Sequence, residues 1–505
     1  MKFNTSMRRK TPVFNYEGER AFVLTLEMEL YTAVVTTALS DKYYESGNER
    51  LERIRTMIGK CNPAFVARLA VYAREVLNMR SVPLVLAVEL ARLHQGDNLV
   101  SRLISRIVLR ADEITELLAL YGQANKRTGT KQLNKLSKQV QKGLATAFNR
   151  FDEYQFGKYN RPAQVTLKDA LFLVHPKAKD DDQQALFNKI VQDELETPYT
   201  WEVELSALGQ LRYVSEAVKH AAFSEKWEEL IFSKRLGYMA TLRNLRNILE
   251  AGVSQEAINA VCEYLSNEGA VAKSRQLPFR FLSAYRELKS VQHGQVSKVL
   301  EALERAVLHS AANIAGYDEA TSVVIAADVS GSMQKTISDK SKVQNFDIGL
   351  MLAMLLQNRC DNVITGMFGD KWKVINLPRT QILANVEEFH RREGEVGYST
   401  NGYLVVKDLI DSGKMVDKVM IFTDCQLWNS NNNTESIAGL WKQYKRIAPQ
   451  AKLYLFDLAG YRTVPLSLER DDVYLVAGWS DKIFDVLNAV DQGSDALKMI
   501  GSIEL

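Results

Sequence analysis

The apolar spacing of this chain changes character once, near Tyr317, and that switch constrains the fold more than any other feature. From about residue 20 to 315, apolar residues recur every three or four positions, in segments such as NPAFVARLAVYAREVLN, PLVLAVELARLH, LVSRLISRIVLRADEITELLALYGQ and SQEAINAVCEYLSN. That spacing lays an apolar stripe along a helix. Pro63, Pro83, Pro162 and Pro278 stand where helices can begin. Short connections between such helices predict stacked helical hairpins, an all-α, HEAT-like α-solenoid. No clean fixed period runs through them.

After Tyr317 the runs TSVVIAAD, NVITGMFG, DKVMIFTD, AKLYLFDL and DVYLVAG are short and β-rich. Helix-like segments lie between or after them: KVQNFDIGLMLAMLLQNR, ILANVEEFHRRE, NGYLVVKDLIDSG, SIAGLWKQYKRIA and DKIFDVLNAV. Alternation of this kind predicts an α/β, Rossmann-like, doubly wound sheet with helices on both faces. A chain of 505 residues exceeds what one compact core holds, so a multidomain protein is expected.

In a parallel sheet, ligands gather at the carboxyl ends of the strands. Asp328 and Asp424 both stand at such ends, and Asp328 is followed at alternate positions by Ser330 and Ser332. Thr400 lies just before a helix-like segment. Two carboxylates and three hydroxyls are hard oxygen donors, suited to Mg²⁺, and also to Mn²⁺ or Ca²⁺, in preference to Zn²⁺. The alternative is that Ser330 and Ser332 cap the next helix and Asp424 merely ends a strand. The pattern D-x-S-x-S…T…D resembles the metal-ion-dependent adhesion site of von Willebrand factor A domains. That resemblance implies a metal whose remaining coordination position receives a partner's carboxylate.

The net charge of +3 is unevenly distributed: residues 1–318 are net basic and the remainder is net acidic. A polyanionic partner is therefore expected for the helical part. Its richest basic stretch holds Lys126, Arg127, Lys131, Lys135, Lys138, Lys142, Arg150, Lys158 and Arg161, against the acids Asp152 and Glu153. Phe148, Phe151, Tyr154, Phe156 and Tyr159 are interleaved with them. Cations for phosphates and ring faces for bases suit single-stranded nucleic acid. Equally, the rings can be core and the lysines a solvated face.

YAREVLNMRSVPLVLAVELAR, LATAFNRFDEYQFGKYNR, VTLKDALFLVHPK, GYMATLRNLRNIL and QLPFRFLSAYREL follow one another in this chain. In that order they resemble the TROVE module of the Ro ribonucleoprotein family, bacterial members in particular, in which a von Willebrand A domain follows. The resemblance implies a helical-repeat RNA-binding ring over residues 1–317 and an A domain over 318–505. It implies small noncoding Y-like RNA on the basic outer surface, and single-stranded 3′ ends of misfolded RNA in the hole. It further implies RNA quality control or decay, an exoribonuclease as a possible partner, and a monomeric scaffold that is not an enzyme. Matched motif by motif, Lys168, His175, Lys177, Arg243, Arg246, Arg275 and Arg280 become candidate RNA contacts. Relatives carry an arginine where this chain has Phe172. His175 can instead simply end a helix before Pro176, and the arginines can pair with nearby acids.

Other readings are constrained by what the chain contains. The 6 histidines are scattered, and there is no G-x-x-x-x-G-K-[ST] loop and no evident nucleophile–base pair. A metal-dependent nuclease is thus the weaker alternative, and a protein-interaction adaptor acting through the metal site is another. The 4 cysteines form no C-x-x-C pair, the first residues lack an apolar signal region, and no apolar run nears the roughly 20 residues of a bilayer span. A cytoplasmic protein without membrane contact is expected.

Overall fold

The computed structural model describes residues 13–37, 45–127, 135–160, 162–276, 278–311, 320–337, 341–430, 435–478, 487 and 495–505. They fall into two compact units, neither of them continuous in sequence. The first comprises Met1–Arg50, Gly316–Thr380 and Ala384–Trp479; the second comprises Leu51–Ala315, Gln381–Leu383 and Ser480–Leu505. The expected division at 317/318 therefore differs from the observed one at both ends of the chain. The described N-terminal residues pack with the α/β unit, and the C-terminal helix Ala496–Gly501 belongs with the helical one.

The α/β unit contains β1 (Val13–Phe14), β2 (Arg20–Val23), β3 (Ser322–Asp328), β4 (Asn362–Phe368), β5 (Trp372–Val374), β6 (Lys418–Thr423), β7 (Lys452–Asp457), β8 (Thr463–Val464) and β9 (Val473–Ala477). Its main sheet is six-stranded, in the order β5-β4-β3-β6-β7-β9. All pairings are parallel except β4 with β5. The central strands β3 and β6 are buried along almost their whole length, as strands covered on both faces must be. One face packs Val324, Val419, Ile421 and Leu453 against Val405, Leu409, Leu440 and Trp441 of the flanking helices. The helix Asn345–Arg359 is buried at every position from Asn345 to Gln357. The segment DKIFDVLNAV, expected to be helical, lies almost wholly outside the described residues.

A second, three-stranded sheet, β1-β2-β8, was not legible as strand in the sequence. Its pairing is antiparallel, with Phe14 opposite Arg20 and Phe22 opposite Val464. The region from residue 20 therefore begins as strand, not helix. It turns helical only at Leu26–Val35, whose N-cap Thr25 accepts from the Met28 amide.

The helical unit contains no strand among the described residues. Asn62 caps the helix Pro63–Val71 by accepting from the Ala64 amide at 2.8 Å, with Pro63 in the first turn. Pro83 lies within the first turn of Ser81–Leu93, and Pro278 opens Pro278–Lys289. Pro162 does not start a helix, because the next one begins at Leu167, capped by Thr166. The Arg74 guanidinium donates to both oxygens of buried Glu113 and to the Ile107 carbonyl, tying successive helices together through a fully engaged buried charge. Helix Lys138–Phe148 comes close to Leu99–Ile107 at Gly143, where a Cβ would stand 2.7 Å from the Ile104 Cβ. No described helix is long and apolar enough to cross a membrane.

Candidate functional site

Asp328 is the last residue of β3, and Asp424 directly follows β6, the strand beside it. Ser330 and Ser332 lie on the short turn after β3, and Thr400 lies in the loop before the helix Tyr403–Ser412. All five sequence-predicted oxygen donors are buried. The serines do not act as caps. Ser330 makes no side-chain cap bond, and the helix at Asn345 is capped through Gln344 and Asp347.

The cluster is tightly oriented. Asp328 accepts from the Ser330 amide at 2.9 Å and from the Thr423 hydroxyl at 2.6 Å. The Ser330 and Ser332 hydroxyls are 3.2 Å apart. Asp424 accepts from the Gln426 amide at 3.0 Å. Two buried atoms, Thr400 Oγ1 and Asp424 Oδ2, lack a hydrogen-bond partner of good geometry, although the Ser332 hydroxyl is close enough to Asp424 to favour its charged form. Burial raises both carboxyls above their ordinary range, and the proximity of Asp328 raises Asp424 further. Asp457, ending neighbouring β7, accepts from the Ala459 and Gly460 amides and adds to the local negative charge.

A cleft of about 340 Å³ opens over the cluster, lined by Glu17, Ser330, Ser332, Asp370, Thr400 and Trp428 among others. The donors fit a hard divalent cation. A cation would relieve the carboxylate repulsion and supply the Thr400 and Asp424 oxygens with a well-aligned partner. Among the described residues no three His, Cys, Asp or Glu side chains are grouped so as to hold a metal ion, so a cation here would depend on the hydroxyls as much as on the two aspartates.

Sequence reasoning missed Glu17, Asp370 and Trp428. A local signal for the hairpin was present. Gly18, at φ +81°, turns the chain between β1 and β2, and Asn15 closes the turn by accepting from the Glu17 and Glu19 amides.

In the helical unit the basic stretch separates into core and surface. Phe148, Phe151 and Phe156 are buried and pack on one another, so they are not base platforms. Tyr154 is exposed, and the Lys158 ammonium lies 5.7 Å from its ring centre. Lys126, Lys135, Lys138, Lys142 and Arg150 are exposed, while Arg127 lies over Tyr121 and donates to the Lys135 carbonyl. Lys131 and Arg161 lie outside the described residues. Asn149 joins this surface to the next loop, donating to the Lys177 carbonyl at 2.9 Å and accepting from the Lys179 amide at 2.8 Å.

Lys168, Phe172 and His175 share one helix face by their spacing. Phe172 is 51% exposed, and His175 ends the helix in the left-handed region. Lys168 pairs with Asp193 at 2.9 Å. A second basic group lies on the packed helices Tyr238–Glu250 and Pro278–Lys289. Arg246 is held by Glu287 at 3.2 Å and Glu250 at 3.8 Å. Arg243 and Arg280 form no ion pair among the described residues. Surrounding protein lowers the Arg280 pKa, and the like charge of Arg243 lowers it further. Arg275 is exposed, in the left-handed conformation after Glu268–Ser274.

A family model described as TROVE domain matches residues 18–200 and 193–347. The chain belongs to the TROVE family. The family expected from the ordered motifs is therefore the one found. Curated relatives include Telomerase protein component 1 of Rattus norvegicus, 25% identical over 320 residues, 48% of this chain and 12% of that protein. The Mus musculus protein of the same name is 25% identical over 313 residues, 46% of this chain and 11% of that one. This TROVE chain thus aligns with about an eighth of those relatives' length or less. Among solved structures, the Deinococcus radiodurans RO (RSR) protein superposes with a TM-score of 0.62 and 17% identity, over 93% of this chain and 100% of that one. At that identity the likeness is one of fold.

Proposed function

We propose that this protein is an RNA-binding scaffold of noncoding RNA metabolism, with a divalent-metal site in its α/β unit. The observation that carries the reading is the Arg243–Arg280 pair. Both arginines are exposed on helices that pack together, and neither has an ion-pair partner among the described residues, so both can meet an anion. With family membership, the natural anion is an RNA phosphate. The exposed row of Lys138, Lys142, Arg150 and Lys177 forms a separate surface for a structured, Y-like RNA, and the arginine pair suits the single-stranded 3′ end of a misfolded RNA.

In this reading the α/β unit is of the von Willebrand A kind. Asp328, Ser330, Ser332, Thr400 and Asp424 hold Mg²⁺, or Mn²⁺ or Ca²⁺, directly or through water. The bound ion supplies a Lewis-acidic position for a carboxylate, while the protein's part is to fix the hydroxyls and exclude water from the two aspartates. The role is that of a scaffold rather than a nuclease.

The test is a salt titration of purified protein against a labelled RNA hairpin and a labelled single-stranded oligonucleotide in Mg²⁺. Affinity for both should fall steeply with salt and both RNAs should stay intact. Salt-independent binding, or cleavage that vanishes in Asp424→Asn, would overturn the scaffold reading.

A further inference from the structure

In the helical unit, residues of the helices Glu216–Phe232, Tyr238–Glu250 and Gln255–Ser266 and of their connections line a cavity of about 440 Å³. Its lining is apolar where it is deepest, with Leu236 and Val261 buried, while the rings of Phe232 and Tyr264 are 52% and 39% exposed. Buried Tyr238 meets the Tyr264 ring edge-on, their centres 5.5 Å apart, and so fixes its position. Lys234, Glu263 and Asn267 line the same cavity. Lys234 is presented by the turn that ends Glu216–Phe232, at φ +56°, where the Leu236 amide reaches back to the Leu230 carbonyl. Lys234 and Glu263 are opposite charges in one cavity, yet among the described residues neither has an ion-pair partner. Asn267 Oδ1 accepts from the Ala270 amide at 2.8 Å, which leaves the Asn267 Nδ2 donors unused.

We propose that this cavity receives an unstacked guanine base of a bound single-stranded RNA. The inference rests on the RNA-binding reading above and names a base that reading leaves open. Exposed aromatic rings over an apolar floor take the face of any base. The polar groups make the choice. Guanine alone among the four bases presents two adjacent donors, N1–H and the 2-amino group, beside the acceptor O6. A carboxylate such as Glu263 accepts from both donors at once, and the ammonium of Lys234 or the amide of Asn267 serves the oxygen. Adenine and cytosine would set a lone pair against the carboxylate, and uracil offers one donor between two acceptors. A free guanine nucleotide carries the same base, and the experiment separates the two sources.

The experiment measures the affinity of the full chain for labelled oligouridylates carrying one central guanosine, inosine or adenosine, with circular dichroism as the check on folding. Inosine lacks the 2-amino donor and adenosine lacks both donors. The guanosine oligonucleotide should bind wild type about tenfold more tightly than either. Glu263→Gln removes a negative charge, whereas Asn267→Asp adds one while keeping the oxygen that caps Glu268–Ser274. A general electrostatic effect would shift overall affinity in opposite directions in the two variants, but both should lose the preference for guanosine. Phe232→Ala should weaken all three oligonucleotides together. Absence of a guanosine preference in wild type, or its survival in both polar variants, would overturn the guanine site and leave the RNA reading standing. No binding of any oligonucleotide would overturn the RNA reading itself. Guanosine monophosphate bound as tightly as the guanosine oligonucleotide would assign the cavity to a free nucleotide and overturn its role in holding RNA.

Discussion

The Thr423 hydroxyl donates to buried Asp328 at 2.6 Å, across the junction of two parallel strands. Thr423 is not one of the five expected donors, yet it fixes which way the Asp328 carboxylate faces, because the other oxygen is held by the Ser330 amide. Thr423→Val keeps the shape but removes that donor and also the acceptor of the Cys425 amide, leaving a buried carboxylate oxygen and a buried N–H unsatisfied. Stability should drop by about 1–3 kcal/mol in chelator. Part of that loss should return in Mg²⁺, since a bound cation restores a partner to the freed oxygen. Urea melts with and without Mg²⁺ measure both effects, and an equal loss in the two conditions would count against a cation at Asp328.

The buried pair also sets a pH dependence. Asp328 and Asp424 both have folded-state pKa values raised above the ordinary carboxylate range. A raised folded pKa contributes stability that is fully present below the unfolded value and is lost as pH rises through the folded value. In chelator the α/β unit should therefore lose stability between the ordinary carboxylate range and neutrality. Mg²⁺ binds the ionised pair, so the rise in Tm that it produces should grow across the same window. Thermal melts from pH 5 to 8 test this, and a Mg²⁺ effect that does not change with pH would contradict it.

The parts of this architecture legible in the sequence are those set by local pattern. Helices announce themselves by a repeating apolar stripe, and β3, β4, β6, β7 and β9 by buried runs long enough to read. By contrast, β1, β8 and β5 are two- or three-residue pairings that exist only because a tertiary partner is present. No local pattern could assign the hairpin at Gly18 to a sheet whose partner, Val464, lies more than 400 residues away. The five oxygen donors were legible because their spacing carries the chemistry. Glu17 was not, since its place depends on Trp428, which donates to it, and on Asn429, which donates to Glu19. In the basic stretch, phenylalanines and lysines alternate in a way that suits either core or platform. Burial of Phe148, Phe151 and Phe156 decided for core.

Phe172 stands exposed between Lys168 and His175, on a face that would otherwise be basic. Phe172→Arg adds a charge there without disturbing the core and should leave structured-RNA affinity unchanged or tighten it. Lys177→Glu should weaken the same RNA more than Lys168→Gln does, because Lys168 is already partly neutralised by Asp193. Electrophoretic mobility shifts at fixed salt compare the three. A loss of binding in Phe172→Arg would mean that the ring itself stacks on a base.

Arg243 and Arg246 sit three residues apart on one helix, but they meet different surroundings, and that difference makes the sharpest test of RNA binding. Arg246 is engaged by Glu287 and Glu250, whereas Arg243 has no ion-pair partner among the described residues and its charge is felt by Arg280. A phosphate gains most where positive charge is uncompensated. Arg243→Gln and Arg280→Gln should each weaken a single-stranded oligonucleotide. Each should also flatten the slope of log affinity against log salt by about 0.7 for every phosphate that is no longer neutralised. Arg246→Gln should change little. Affinity for a structured hairpin should hold in all three, if it binds through Lys138, Lys142, Arg150 and Lys177. Fluorescence anisotropy over a salt series gives both affinity and slope. Equal losses for both RNAs in every variant would replace two surfaces by one diffuse field, while a loss confined to Arg246→Gln would mean that RNA displaces the acids and takes over their partner.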